Sequence, residues 1–494
     1  MVSTPSPTLQ ASSGGRGRPG ETWVFVTAGS LLTLIALLVG VILLLTLNGL
    51  SVFWPHPIAR VTQNDGSVLI GQAWRSEAIS QDSSNTDAVR TRTLYRIGNR
   101  RELGSEFQWV DDDAVKSIEH PPEVAFIERL EWGPALGTIR GVKRAGVPLT
   151  DVAVDDFDAL DDLVEEARAE RIGALAPRVD EASLIATLEL SDRRTVEIPL
   201  AAIERIVPAN AYGPVDRVLS WCASFGRFIT ENPRESNTEG GILPAILGTF
   251  LMVLLMSLAV VPLGVIGALY LNEYAKQGPL VRFVRLAVSN LAGVPSIVFG
   301  MFGLAFFVYT IGAHVDATLF SDKLPTPTFG TGGLLWASLT LALLTVPVVI
   351  VSTEEGLRAV PRAQREGSLA LGSTRWQTIR TIVLPAAMPG ILTGTILAIA
   401  RGAGEVAPLM LTGVVKLAAS PLVDATPPFL HLDAKFMHLG FHIYDVGFQS
   451  PNVEASRPIV YATALVLLVF IVILNLAAIV WRNRVRRKLQ GSTF

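Results

Sequence analysis

Two side chains of opposite charge, Arg401 and Glu405, stand in a run of apolar and small residues. Their i, i+4 spacing places them on one face of a helix. Charge inside a membrane is costly, so the pair should face a partner or a wet path. Arg401 would guide an oxyanion electrostatically, and we predict that both residues lie on a substrate path. A buried ion pair that only fixes helix packing is the alternative.

Glu405 has two possible roles beside an oxyanion, since its own charge repels anions. It could balance Arg401, so that the anion is not held too tightly to leave. It could also accept a hydrogen bond from a protonated oxyanion, which partly protonated phosphate offers and sulfate does not. The sequence leaves both roles open.

A second candidate site is the non-apolar stretch from Glu366 to Pro385, which lies between two apolar runs. Gly372 divides it into two short helical pieces. In the second piece Trp376, Ile379 and Val383 recur at helical spacing, which predicts one apolar face and one basic face. Such an element between two membrane helices suits docking into a groove on a soluble partner. A push on it would pass directly into the flanking helices.

This stretch resembles the "EAA" signature of ABC-importer permeases, which reads E-A-A, three residues, G, nine residues and I-x-L-P. The matching positions are Glu366, Gly372, Ile382, Leu384 and Pro385. The two alanines are replaced by Gly367 and Ser368, which are also small, although the glycine weakens the helix. The resemblance implies that the stretch, with Trp376, belongs to an ATPase-coupling loop over residues 353–385.

The composition is that of a membrane protein with room for one soluble domain. Half of the 494 residues are hydrophobic, and the mean hydropathy is +0.43. Residues 55–240 carry 32 acidic and 21 basic residues, whereas the rest carries 12 and 20. An acidic soluble part gives no support for nucleic-acid binding. Cys222 is the single cysteine, which excludes an intrachain disulfide and a cysteine metal cluster.

Six apolar runs are long enough to cross a membrane. They are Val24–Leu47, Ile242–Leu271, Val284–Ile311, Leu334–Val351, Ala386–Val414 and Pro458–Trp481. We predict a polytopic α-helical membrane protein with six transmembrane helices and a small α+β, mostly β, domain between the first and second. The predicted regions are a disordered N-terminus (1–21), a first transmembrane anchor (22–54), the α+β domain (55–209), a connector (210–241) that could lie along the membrane surface, a five-helix permease core (242–481) and a basic tail (482–494).

Basic residues indicate the topology. Those on one side of the spans are Arg16, Arg18, Lys276, Arg282, the arginines of the coupling loop, and five in the tail. The opposite loops are poorer in lysine and arginine. The positive-inside rule then places both termini in the cytoplasm and the 55–209 domain outside. The tail could also contact anionic membrane lipid.

Alternating apolar and polar residues predict strands in the soluble region. They are Ser67–Trp74, Thr91–Ile97, Val124–Glu131, Leu136–Val142, Leu184–Leu190 and Thr195–Pro199. Asp151 to Arg171 is typical of an acidic helix with Val154, Phe157, Leu160 and Val164 on one face. We interpret its acidic run as a solvated face rather than a metal site.

Several residues near span ends are further candidates for gating or for fixing loops. They are Glu273, Pro295, Ser296 and Glu354. For the two glutamates, solvation of a helix end is the simpler interpretation.

His438 and His442 have the i, i+4 spacing of metal ligands, but their apolar neighbours favour a short interfacial or gate helix. We predict no metal and no cofactor.

The helical half of the chain resembles the PstA-type permease subunits of phosphate ABC importers. The segments that carry the resemblance are Asn237–Gly241, Asn272–Tyr274, Val294–Val298, Thr345–Ile350, Thr353–Glu355 and Arg401–Pro408. The resemblance implies a bacterial plasma membrane protein that works with a second homologous permease, an ATPase dimer and an extracytoplasmic phosphate-binding protein. No phosphate-binding G-x-x-x-x-G-K-[ST] motif occurs, so ATP hydrolysis would come from another chain rather than from this one. The 55–209 domain is absent from shorter family members, and its role is not implied.

Two alternatives stay open from the sequence. The cargo could be another oxyanion. The chain could instead be a membrane sensor, in which the outer domain detects a signal and the loop binds a cytoplasmic partner. The signature loop and the five further spans favour transport.

Overall fold

The computed structural model of the protein describes residues 21–79, 90–149, 153, 156–171 and 177–491. The predicted disordered N-terminus thus lies outside the described residues, except for residue 21. Residues 151–152 and 154–155 of the predicted acidic helix also lie outside them. Within the described residues, six segments are long and apolar enough to cross a membrane, namely Trp23–Ser51, Leu243–Tyr274, Ser296–Leu319, Leu334–Arg358, Arg375–Gly404 and Val453–Arg487. The predicted fold class, six membrane helices with a mostly β region after the first, is confirmed.

The strands precede the second span. They are β1 (Ala59–Gln63), β2 (Val68–Ile79), β3 (Arg90–Arg96), β4 (Phe107–Asp111), β5 (Val115–Glu119), β6 (Val124–Arg129), β7 (Ala135–Arg144), β8 (Val147–Pro148), β9 (Leu184–Glu189), β10 (Thr195–Pro199), β11 (Ile203–Val207), β12 (Pro233–Arg234) and β13 (Glu239–Gly240). One antiparallel sheet has the order β4-β3-β2-β1-β5, and a second has the order β10-β9-β7-β6-β11, with β8 beside β7. All six predicted strands are present. Others, such as β5, were missed because nearly all of β5 is exposed and it shows no alternation.

The helices of the described residues include the membrane helices and several short connecting ones. They are α1 (Glu21–Ser51), α2 (Arg100–Leu103), α3 (Phe157–Arg168), α4 (Pro214–Thr230), α5 (Leu243–Leu269), α6 (Pro279–Leu291), α7 (Ser296–Phe302), α8 (Ala313–Leu319), α9 (Leu334–Arg358), α10 (Arg362–Ala370), α11 (Arg375–Thr378), α12 (Leu384–Gly404), α13 (Leu409–Thr412), α14 (Leu439–Phe448) and α15 (Val453–Gly491). Segments Tyr270–Tyr274, Gly303–Gly312 and Ile379–Val383 are π-helical.

Residues 58–210 hold the two large sheets and are called the β region below, and the two ends of this segment lie side by side. The Asn210 amide accepts from the Ile58 backbone N–H at 2.9 Å and donates to the Ile58 carbonyl at 2.8 Å. Helix α3 packs Leu160 and Val164 into the core of the second sheet. Adjacent chain ends are typical of a domain inserted into another fold.

The third span begins later than the sequence predicts. The predicted run Val284–Ile311 is interrupted before Pro295, because a residue that precedes proline disfavours the helical conformation. The N-terminal part of the run belongs to α6, an amphipathic helix that carries Arg282 and Arg285. The span itself is Ser296–Leu319. The prediction was wrong because apolar residues of α6 and α7 form one run in sequence.

The fifth span is also displaced from its predicted bounds of Ala386–Val414. The helix starts at Arg375, inside the predicted coupling loop, and ends at Gly404. Glu405 is extended, with φ −80° and ψ 134°. The chain then returns toward the bundle, where Phe436 is fully buried in a cluster with Met252 and Met256 of α5. The predicted run Ala386–Val414 therefore included a largely non-helical segment that is buried in the protein. Membrane proteins tolerate irregular backbone in such buried positions.

Candidate functional site

The coupling loop consists of two helices held together at a sharp corner. Gly372 has φ +87°, a conformation that glycine adopts without strain, and it separates α10 from α11. The hydroxyls of Ser368 and Thr378 lie 3.0 Å apart and are buried between the two helices. The Thr374 side chain caps α11 by accepting from the Gln377 N–H at 3.3 Å. The two small helices therefore form one fixed unit.

This unit continues directly into the fifth span. Residues Arg375–Gly404, which include Ile382, Leu384 and Pro385, form one helical segment of 30 residues. Val383 is 1% exposed and packs in a cluster with Leu357 of α9 and Ala387 of α12. The second helix of the loop and the fifth span are therefore one continuous helical segment.

The outer surface of the unit is apolar at its tip. Leu371 is 89% exposed, Trp376 is 57% exposed and Leu369 is 44% exposed. We call these three residues the loop tip. Trp376 lies in the first turn of α11, which is exposed, whereas Ile379 and Val383 further along the same helical segment are buried. Exposed clusters of large apolar side chains indicate an interaction surface.

Glu366 and Gly367 lie on the open side of α10. Both are exposed, and a Cβ atom built on Gly367 meets no atom within 4 Å. Nothing within the described residues requires glycine at this position. Alanine, which the family signature has there, therefore fits sterically.

We predict that Gly367→Ala leaves the chain functional and stabilises α10 by about 0.5–1 kcal/mol, because alanine loses less backbone entropy in a helix. Thermal unfolding would be measured on the purified chain, and uptake would be measured after assembly with the partner subunits that the family resemblance implies. The matched control is Gly372→Ala, which forces alanine into a left-handed conformation and should destabilise the loop. A loss of uptake in Gly367→Ala would show that a partner approaches the backbone too closely for a methyl group.

Glu273 ties the coupling loop to the second span. Its Oε1 lies 3.1 Å from Nη1 of Arg365, and the two side chains are 13% and 24% exposed. Arg365 also donates to the Leu357 carbonyl at the end of α9. Arg365 thus joins α10 to the ends of two spans, and it escaped the sequence analysis because it is one of several arginines in a basic loop.

Glu354 holds a second connection at the same end of the bundle. Its Oε1 lies 3.0 Å from Nε of Arg285 on α6, and its Oε2 lies 3.1 Å from Nη2 of Arg358. The Glu354 side chain is only 10% exposed, so the expectation of a solvated helix end was wrong for this residue. Arg285 further donates to the Leu271 carbonyl at 3.1 Å. The position of Arg285 on the polar face of an amphipathic helix was the feature of the sequence that could have indicated this contact.

Pro295 and Ser296 mark the break between α6 and α7. Pro295 is the N-cap residue of α7, and Ser296 is its first residue. Neither takes part in the ion pairs of Glu273 with Arg365 or of Glu354 with Arg285 and Arg358. Their position is a bend before the third span.

Arg401 and Glu405 lie at the other end of the fifth span. Nε of Arg401 is 3.5 Å from Oε1 of Glu405, and the side chains are 33% and 21% exposed. Arg401 is in the last turn of α12, where a cation is favourable beside unpaired carbonyl groups. Gly402, in contrast, packs against the sulfur of Met256, where an added Cβ would come within 2.4 Å. The pair therefore borders accessible space, while the neighbouring face of the helix is tightly packed.

A buried polar cluster lies where the β region meets the helices. Asn237 donates to Asp445 at 3.2 Å, and Lys416 lies 3.4 Å from the same carboxylate. Burial lowers the pKa of His438 to about 3 and that of His442 to about 4, so both imidazoles are neutral at pH 7. His438 caps α14 by accepting from the Gly440 N–H. Over the described ranges, no group of three His, Cys, Asp or Glu side chains is placed to hold a metal ion.

The helical half of the chain is similar to known proteins. Residues 260–490 match the family model described as binding-protein-dependent transport system inner membrane component. The phosphate transport system permease protein PstA of Mycobacterium leprae is 37% identical over 214 residues, covering 43% of this chain and 63% of that protein. PstA of Yersinia pestis is 38% identical over 192 residues, covering 39% and 59%. The probable ABC transporter permease protein YqgI of Bacillus subtilis is 35% identical over 186 residues, covering 38% and 58%.

The similarity of the chain to solved structures is weaker. An inward-facing form of the MetNI methionine ABC transporter has a TM-score of 0.35 and 18% identity, covering 50% of this chain and 94% of that one. A bacterial ABC transporter involved in alginate import has a TM-score of 0.37 and 16% identity, covering 53% and 83%.

The assignment therefore depends on the family model and the sequence relatives. The chain spans about 60% of the length of these curated relatives. Over residues 260–490 the chain is similar to the family of binding-protein-dependent transport system inner membrane components, and its sequence relatives include PstA permease proteins.

Proposed function

We propose that the chain is the membrane permease subunit of an ATP-driven importer that carries inorganic phosphate. The observation that carries the proposal is the coupling loop, an exposed helical corner continuous with the fifth span and tied to the second span by the Glu273–Arg365 ion pair. Such a unit passes an external movement to two spans at once. The identity to PstA proteins supports phosphate as cargo.

In this mechanism the loop tip occupies a groove on an ATPase dimer. Closure of the ATPase displaces α10 and α11 as one body, because the buried Ser368–Thr378 contact holds them together. The continuous helix Arg375–Gly404 carries the movement to Arg401 at its far end. Arg401 attracts the oxyanion electrostatically, and Glu405 limits how tightly it is held. ATP hydrolysis itself belongs to the partner chain.

The proposal includes the remaining partners and the orientation. A second homologous permease would complete the path beside Arg401, and an extracytoplasmic binding protein would deliver phosphate. Both termini would lie in the cytoplasm, which places residues 55–209 outside the bacterial plasma membrane. The distribution of lysine and arginine along the sequence supports this orientation.

Reconstitution tests the proposed function. The chain would be placed in proteoliposomes with its partner permease, ATPase and binding protein, and uptake of radiolabelled phosphate would be measured. We expect uptake to require ATP and the binding protein, and not to be inhibited by excess sulfate. Uptake of sulfate or another oxyanion in place of phosphate would contradict the cargo. An assembled complex that moves no oxyanion would contradict the importer and favour a sensor.

Neutralising Arg401 should slow transport without disassembling the complex. For Arg401→Gln we expect uptake to fall about tenfold, the effect of losing about 1.4 kcal/mol of favourable interaction with the anion. Arg401→Lys keeps the charge and should retain part of the rate. ATPase co-purification and the melting temperature of the complex should stay unchanged. If Arg401→Gln instead releases the ATPase or lowers the melting temperature, the ion pair has a packing role.

A further inference from the structure

Helix α4, which connects the β region to the second span, has two chemically different faces. One face is covered by the protein. Ser224 accepts from Arg205 of β11 at 3.1 Å, and Phe228 is 5% exposed. The opposite face presents an apolar stripe at helical spacing, which consists of Val215, Val218, Leu219 and Cys222. We call these four residues the α4 stripe.

Contacts at two points of α4 fix its direction relative to the spans. The Trp221 indole N–H donates to the Leu50 carbonyl, at the end of the first span, at 2.8 Å. The Phe228 carbonyl accepts from the Ile242 N–H, just before the second span, at 2.8 Å. Both points lie at the same end of the bundle, where these spans meet the β region. A helix that touches the ends of two spans in this way runs across this end of the bundle.

The α4 stripe is exposed near the end of the first span, which also carries exposed apolar side chains. Val215 is 69% exposed, Val218 is 48% exposed and Leu219 is 62% exposed. On the last turns of α1, Leu43 and Leu47 are 54% and 63% exposed. The two apolar surfaces meet where Phe53 packs edge-on against Phe225, with ring centroids 5.4 Å apart. The exposed apolar residues of α4 therefore lie beside those of the first span.

We propose that the α4 stripe is a membrane-binding surface, embedded at the boundary between lipid headgroups and acyl chains. Helices of this kind lie in the plane of the interface with the apolar face about 5–10 Å deep. The other face of α4 holds the β region, so the helix fixes that region against the bilayer surface. This role is independent of the cargo and of the ATPase. A lipid occupant is favoured over a protein because the stripe lies beside the exposed apolar residues of a membrane-spanning helix.

The single cysteine of the chain makes the proposal directly testable. Cys222 is exposed and belongs to the stripe. The full-length chain would be labelled there with the fluorophore NBD and placed in nanodiscs of phosphatidylcholine and phosphatidylglycerol. We expect blue-shifted emission, loss of most of the fluorescence with phosphatidylcholine carrying a doxyl group on acyl carbon 5, and little quenching by aqueous iodide.

The matched control moves the probe to an exposed strand of the β region. Ser117→Cys in a Cys222→Ala background places the same label on β5, where iodide should quench it and the doxyl lipid should not. A second variant, Leu219→Asp, should weaken membrane contact and reduce doxyl quenching at Cys222. Iodide quenching at Cys222 equal to that at position 117 would overturn the proposal. Shielding from both quenchers would also overturn it, because a second protein surface would then cover the stripe.

Discussion

Glu366→Arg is expected to abolish ATP-driven uptake while the chain still reaches the membrane. Glu366 is exposed on α10, and no ion pair holds it within the part of the chain that the structure describes. Its replacement therefore leaves the fold intact and acts at the docking surface. Reversing a charge at a protein interface costs about 2–5 kcal/mol. Uptake should fall roughly 30-fold or more, at about 1.4 kcal/mol for each tenfold. Uptake into proteoliposomes and co-purification of the ATPase would both be measured.

The control for this prediction lies on the same helix. Gln364→Arg adds a positive charge to another exposed position of α10, but residues two apart do not share a helix face. Uptake in this variant should stay within about twofold of that of the unchanged chain, because a single exposed charge contributes little interaction free energy. Normal uptake by Glu366→Arg would show that Glu366 has no part in coupling. Equal losses in both variants would indicate a general effect of charge on the loop.

The fold was predictable where one physical signal dominated. Long apolar runs identify membrane helices, since every backbone group in a bilayer must be satisfied within a helix. The signal failed where apolar residues belong to different elements. Val284 lies on α6, not in the third span, and Val414 lies in an irregular segment buried against α5. Hydropathy indicates that a segment is removed from water. It does not show whether the segment is surrounded by lipid or by protein.

The candidate site was predictable in its motifs and not in its contacts. The signature residues indicated a two-piece loop, and the left-handed Gly372 is the corner between the pieces. The partners of Glu273 and Glu354 are Arg365 and Arg285, which are 92 and 69 positions away in the sequence. Pairing over such separations depends on tertiary packing. A basic loop contains several arginines, and tertiary packing determines which of them form ion pairs with a glutamate.

Breaking the Glu273–Arg365 pair should uncouple the loop from the second span. The pair is 3.1 Å long and mostly buried. Arg365→Glu places two carboxylates together, and Glu273→Arg places two cations together. Losing one partner of a fully buried pair costs about 3–5 kcal/mol, and partial exposure here reduces the expected cost to about 1–2 kcal/mol. Each single variant should therefore lower phosphate uptake per ATP hydrolysed about fivefold to thirtyfold.

The charge-swapped double variant separates this pair from a general effect of charge. Glu273→Arg combined with Arg365→Glu restores opposite charges, and a coupling energy of about 0.5–3 kcal/mol is expected for residues in contact. The double variant should recover much of the lost uptake, with ATPase docking unchanged in all three proteins. Arg362→Glu is the matched control, because Arg362 begins the same helix and forms no ion pair within the described residues. If the double variant is as slow as the single variants, the ion pair does not transmit the ATPase movement, and the Arg365 bond to the Leu357 carbonyl becomes the connection to test next.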